Sequence, residues 1–316
     1  MPQLDPTLFR WLEKVNELNK NADTRSFNVA EVRQALAAMT ANYVTQTVTI
    51  ASVEEMSLRA PEGHEIQVRI YNPCPERVAP LNIFFHGGGH MAGSVEVYDP
   101  IARRLAKNLK QIVASVEYRL SPEFMYPAGL DDARHVVRYL ADHLKRKGYL
   151  FSDKRHLIGD SGGGALVATL AAESQADESL QVDRQVLIYP SLDYTLQQPA
   201  IEALGKGYLL ERDRIAWYFE QYMGSDASLR YEASPLFMPV SPELPVTLLI
   251  TAGFCPLSGE GQAYYQRLKA AGVSVEHHHF GDLIHAYLNL ENLVPNACRH
   301  TYEQIATFLD PAQAHY

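Results

Sequence analysis

A serine set between glycines is the first residue in this chain whose surroundings could support covalent chemistry. Gly159-Asp160-Ser161-Gly162-Gly163 follows the apolar run His156-Leu157-Ile158 and leads into Ala165–Ala172, a strong helix former. Strand, sharp turn and helix form the context in which a G-x-S-x-G serine acts as a nucleophile. The same residues could also make a plain Gly/Ser turn. At the helix N-terminus the macrodipole favours the negative charge that develops during acyl transfer.

A second glycine run, His86-Gly87-Gly88-Gly89, comes directly after the strand-like Leu81–Phe85. Without side chains in the way, its backbone N–H groups could hold the oxyanion of a tetrahedral intermediate. The alternatives are a flexible turn or a phosphate loop, but no G-K-[ST] follows. A serine hydroxyl also needs a base within reach, and His285 in FGDLIHAY is the candidate. It stands after Ser161 in chain order and beyond the last strand-like run. The neighbouring His277-His278-His279 looks like a metal tract. On a strand its alternate members face opposite sides, so the three could not share one ion, and no metal is expected.

These residues need a scaffold. Apolar positions at helical spacing (Leu8, Trp11, Leu12, Val15, Leu18, then Val29, Val32, Leu36, Met39) predict two amphipathic helices before any sheet. Alternating β-branched residues over 43–53 and 64–71 predict an opening antiparallel pair. From residue 81 onward, short apolar runs (81–85, 112–116, 156–159, 186–189, 246–251 and 273–277) alternate with helical segments near 99–109, 128–147, 163–174, 260–271 and 297–309. Strands separated by helices predict an α/β fold with a mostly parallel sheet covered on both faces. The segment 200–224 breaks that rhythm with helical material and no strand, as a lid would. Ligands in such folds bind beyond the carboxyl ends of the strands, where each motif falls.

A chain of 316 residues suffices for one such domain with a lid. Its net charge of −9 argues against a nucleic-acid or membrane-surface partner. Three scattered cysteines suit a reducing compartment better than a disulfide framework or zinc site. The N-terminus lacks a secretory signal pattern and no apolar stretch is long enough to span a bilayer, so a cytoplasmic protein is expected.

Taken together, HGGG, then VEYRLSPE (116–123) with YPAGLDDA (126–133), then GDSGG and the closing IHAY resemble the bacterial hormone-sensitive-lipase-like esterases of the α/β-hydrolase superfamily. The match runs from about residue 45 to the end. The resemblance implies a catalytic domain over 45–199 and 226–316, with a helical cap built from 1–44 and 200–225. It implies hydrolysis of carboxylic esters with short to medium acyl chains, a small-molecule ester as the partner, no cofactor, and a possible homodimer. Ser161 and His285 match the nucleophile and base, while Gly88, Gly89 and Gly162 match the oxyanion hole.

The chain departs from the family at one place. Where the family has aspartate-proline-leucine as its triad acid, this sequence reads Cys255-Pro256-Leu257. Three explanations stay open. Glu260 or Asp193 substitutes for the acid, the protein has drifted into a weak or non-catalytic role, or Cys255 is an engineered change. Loss of the acid is expected to impair turnover by about four orders of magnitude. A rival reading is a binding protein that holds a small ester or acid on this fold without turnover. A trypsin-like protease, which shares GDSGG, is disfavoured by the helix–strand alternation after Ser161. Met91, Tyr98, Tyr208 and Phe254 are candidate pocket walls.

Overall fold

The computed structural model describes residues 3–19 and 28–310. Eight strands make one sheet: β1 (Ser52–Arg59), β2 (Glu65–Asn72), β3 (Leu81–Phe85), β4 (Ile112–Glu117), β5 (Arg155–Asp160), β6 (Arg184–Ile188), β7 (Val246–Phe254) and β8 (Val275–Ile284). They lie in the order β1-β2-β4-β3-β5-β6-β7-β8. β2 pairs antiparallel with both β1 and β4, and every later pair is parallel.

The central strands are apolar because both of their faces are covered. In β3 all five residues are buried. Leu81, Ile83 and Phe85 join one core, with α4 (Ala128–Arg146), α5 (Gly162–Ser174) and α9 (Ser258–Ala270). Phe84 joins the opposite core, with α3 (Asp99–Leu109) and α10 (Pro295–Leu309). β7 splits the same way, Leu249 to the first core and Leu248 and Ile250 to the second. The alternation follows from the two-residue period of a strand.

The predicted opening pair needs a correction. The α2 helix (Val29–Tyr43) runs through Tyr43, and β1 begins only at Ser52. Residues between them belong to no helix or strand. Their backbone groups are taken by side chains instead: Arg104 donates to the Gln46 carbonyl at 3.0 Å and Arg103 to that of Val48 at 3.4 Å. Val44 and Ile50 are buried, which accounts for the strand-like pattern without a strand. The last strand is also longer than the expected 273–277, since Val275–Ile284 runs on past the histidines.

Helices gather over the carboxyl ends of the strands. They are α1 (Pro6–Asn19), α2, α6 (Pro199–Leu204), α7 (Arg212–Met223) and α8 (Ala227–Ala233), the last extending beyond the expected 200–224 segment. Trp11 Nε1 donates to Tyr43 Oη at 2.8 Å and ties α1 to α2. Arg33 fastens α2 below by donating to the Met91 carbonyl at 2.8 Å and the Ser121 carbonyl at 3.1 Å, while it pairs with Glu123 at 2.6 Å. Among the described residues no helix is long and apolar enough to cross a membrane.

Candidate active site

Ser161 sits on the turn between β5 and α5 with φ 51° and ψ −118°, outside the regions that a non-glycine residue normally adopts. Such strain persists only where the surroundings over-determine it. Here the Ser161 N–H donates to the Ile188 carbonyl at 2.9 Å, and its own carbonyl accepts from Ser191 N at 3.0 Å and Ala165 N at 3.2 Å. The glycines after the serine permit the close packing. A Cβ on Gly163 would lie 2.0 Å from the Phe85 carbonyl oxygen. The strand therefore stops, the chain turns sharply and the hydroxyl projects into a cavity.

That cavity, of about 440 Å³, is lined at its floor by Gly88, Gly89, Ser161 and His285, and at its roof by side chains of α1, α2 and α7. Of the expected wall residues only Tyr98 lines it. Met91 is instead fully buried beside Val32 and Ala92, and Tyr208 packs against Phe254 at 5.2 Å between ring centroids. Both outcomes reflect side chains that face a core rather than the void.

His285 follows β8 and places Nε2 2.9 Å from Ser161 Oγ. Its other nitrogen, Nδ1, lies 3.2 Å from Cys255 Sγ. Neither alternative acid contacts the histidine. Glu260 is wholly buried and accepts from Leu192 N at 2.6 Å and Asp193 N at 3.4 Å. Asp193 accepts from Thr195 N at 2.8 Å and Gln198 Nε2 at 2.9 Å. Both carboxyls therefore brace the loop after β6. Burial also drives the Glu260 carboxyl well above its usual range, against the hydrogen bond from Leu192.

Burial of Ser161, His285 and Cys255 sets the electrostatics of the site. Burial pushes His285 down to about 3, so its imidazole is neutral across the physiological range. Burial likewise raises the Cys255 thiol above its usual range, although the backbone N–H groups of Leu257 and Ser258 oppose the shift. A neutral thiol therefore stands where a charged carboxylate would stabilise the imidazolium.

The glycine loop faces the serine from the end of β3. Gly88 has φ 119°, and a Cβ there would meet the Ala92 carbonyl oxygen at 2.1 Å. Among the described residues no acceptor takes the N–H groups of Gly88 or Gly89. Gly89 N lies 3.2 Å from where a Gly162 Cβ would be, so the two backbone segments converge beside Ser161.

One residue in the motif has a job that its position alone did not disclose. Asp160 Oδ1 accepts from Gly87 N at 2.7 Å, and Oδ2 accepts from Tyr98 Oη at 3.2 Å. It locks the glycine loop to the nucleophile turn. Burial raises its carboxyl to about 7, countered by the hydrogen bond from Gly87. His86 supports the same loop from behind, stacked between Tyr118 at 4.6 Å and Tyr98 at 5.3 Å.

Comparison with known proteins agrees with this arrangement. The family model described as alpha/beta hydrolase fold matches residues 82–289. The chain belongs to that family, in its hormone-sensitive-lipase-like esterase branch. It is 31% identical over 250 residues to an ethyl acetate hydrolase of Pseudomonas putida, covering 78% of each chain. It is also 31% identical over 307 residues to the esterase LipI of Mycobacterium tuberculosis, covering 95% of this chain and 92% of that one. Among solved structures, the hyperthermophilic esterase of Pyrobaculum calidifontis superimposes with a TM-score of 0.88 at 30% identity, covering 98% of this chain and 99% of that one.

Proposed function

We propose that this chain hydrolyses small carboxylic esters of short to medium acyl length through an acyl-enzyme on Ser161, at a rate held down by Cys255. The chain is an ester-hydrolysing enzyme, as its relatives are. The observation that carries the proposed residue roles is the 2.9 Å contact between Ser161 Oγ and His285 Nε2 at the floor of a mainly apolar cavity.

In the first step His285 Nε2 takes the hydroxyl proton while Ser161 Oγ bonds to the ester carbonyl carbon. The N–H groups of Gly88, Gly89 and Gly162 receive the oxyanion, the term that usually dominates catalysis. The protonated imidazole then gives its proton to the leaving alcohol. Water attacks the acyl-enzyme by the same route and releases the acid and Ser161.

Cys255 weakens this cycle in two ways. Its neutral sulfur offers no charge to the imidazolium. It also fails to fix the tautomer. A carboxylate only accepts, which keeps the ring proton on Nδ1 and leaves Nε2 free. A thiol both donates and accepts. When S–H donates to Nδ1, the ring proton must sit on Nε2, where it blocks proton transfer from Ser161.

The domain reading supported best places a cap of α1, α2 and α6–α8 over a catalytic domain formed by the rest. A cytoplasmic enzyme suits the three free thiols, Cys74, Cys255 and Cys298. Dimerisation, implied by the family resemblance, is checked by sedimentation. The deciding experiment on function is p-nitrophenyl butyrate hydrolysis beside Ser161→Ala, with fluorophosphonate labelling of both. Turnover and labelling should vanish together in the variant. Unchanged activity in Ser161→Ala would overturn the nucleophile, and ligand binding without any labelling of the native chain would favour a non-catalytic binding protein.

A further inference from the structure

The cavity above Ser161 is mainly apolar, and one acidic and one strongly basic side chain enter its lining, Asp160 and Arg214. Asp160 is engaged by Gly87 and Tyr98 at the floor. Arg214 comes from the roof, in the first turn of α7. A cation there is placed against the helix macrodipole, which favours anions at that end. Local helix energetics therefore do not account for it.

Its position relative to the reacting end follows from Tyr218. The two residues are one turn apart on α7, about 6 Å along the axis, and the Arg214 charge acts on the Tyr218 phenol, opposing the rise that burial causes there. Tyr218 in turn lies against the oxyanion loop, since a Cβ on Gly89 would fall 2.6 Å from Tyr218 Cδ2. One tyrosine ring thus separates the guanidinium from the loop that would hold the scissile carbonyl.

We propose that Arg214 forms an anion subsite in the cap wall, so that the preferred substrates are esters carrying a carboxylate a few carbons from the scissile carbonyl, as in monoesters of dicarboxylic acids. This rests on the ester-hydrolase reading above and adds the substrate class. A guanidinium offers five N–H donors in a planar fork that matches a carboxylate. Apolar walls such as Leu209, Leu210 and Phe219 weaken the screening that water would impose. The apolar part of the same acyl chain would lie along those walls.

The test measures binding without turnover. The Ser161→Ala chain is titrated calorimetrically with monoethyl adipate and with ethyl hexanoate, which have the same acyl length. Monoethyl adipate should bind at least about tenfold tighter. That preference should fall below about threefold when Arg214→Leu is added, and survive in Arg214→Lys, which keeps the charge. A purely structural role for Arg214, through Tyr218, would weaken both esters alike and leave their ratio intact. Equal or weaker binding of the adipate ester, binding of neither ester, or a preference that persists in Arg214→Leu would each overturn the subsite. Failure of the esterase reading itself appears separately, as absent labelling of the native serine.

Discussion

Cys255 Sγ stands 3.2 Å from His285 Nδ1, the place from which a carboxylate would orient the imidazole of the proposed base. Both residues are buried, and among the described residues no carboxylate contacts the ring. Replacing the thiol with a carboxylate should therefore restore both the charge and the tautomer. We expect Cys255→Asp to raise kcat on p-nitrophenyl butyrate by about a hundredfold or more. Cys255→Ser, which also donates and accepts without charge, should stay within about threefold of the native chain. A fast native enzyme that gains nothing from Cys255→Asp would show that the sulfur suffices.

The same pair sets the pH response. Burial holds His285 near 3 against an ordinary value of 6.5, so the base stays unprotonated well into acid. A pH–rate profile of kcat/KM should then be flat from about pH 8 to about pH 5. In Cys255→Asp the carboxylate favours the imidazolium, and the acid limb should move upward towards neutrality. A native limb near the usual histidine range would contradict the buried, uncharged imidazole.

Stability should follow pH with the same sign. Burial lowers His86 to about 4, His90 to about 3 and His156 to about 4, as it lowers His285. Below about pH 6.5 the unfolded chain binds protons that the folded chain refuses, so stability is full above that value and falls as pH drops towards 3. The raised carboxyls of Asp160, Glu117 and Glu260 act oppositely, but they are three groups against these four imidazoles and the likewise lowered His135, His143 and His277. Calorimetry should find Tm lower at pH 5 than at pH 7.5 by about 5 °C or more. An unchanged or higher Tm at pH 5 would count against neutral buried histidines.

Asp160→Asn tests the link between the nucleophile turn and the glycine loop. The amide can accept at only one atom, so Oδ1 keeps Gly87 N through a neutral bond while Tyr98 Oη must change from donor to acceptor of the NH2. We expect kcat to fall by about tenfold to a hundredfold with KM nearly unchanged, about 1–3 kcal/mol, as the carboxylate's bond to Gly87 becomes a weaker neutral one and the Tyr98 bond reverses. A rise in KM alone would assign Asp160 to substrate binding instead.

Gly163→Ala tests the packing behind the serine. The added methyl would lie 2.0 Å from the Phe85 carbonyl oxygen, a contact with backbone that has no room to yield. Overpacking of this kind costs about 1–3 kcal/mol or more. The variant should melt at least about 5 °C lower and lose activity with it. A native melting temperature would mean that β3 and α5 are not so closely apposed.

Much of this was legible from local pattern. The buried β3 and β5 were visible as apolar runs, and Ser161 and His285 stood out by motif and chain order. Two misreadings have physical causes. Residues around Val44 and Ile50 carry a strand-like alternation because they are buried in turn, yet arginines from α3 replace the neighbouring strand. β8 lies at the sheet edge, where Glu276 and His279 face solvent, so its apolar signal is diluted and its length was underestimated. The roles of Asp160 and of the Trp11–Tyr43 tie rest on partners 73 and 32 residues away, which no local pattern carries.

The hydrogen bond between Ser161 and His285 joins residues 124 positions apart, from the end of β5 in the middle of the sheet to the loop beyond its last strand. During synthesis the serine leaves the ribosome long before its histidine does. The growing chain thus carries an unarmed hydroxyl through the later part of translation. On the proposed mechanism it becomes reactive only when the final strand docks, so reactivity itself would report that the sheet is finished.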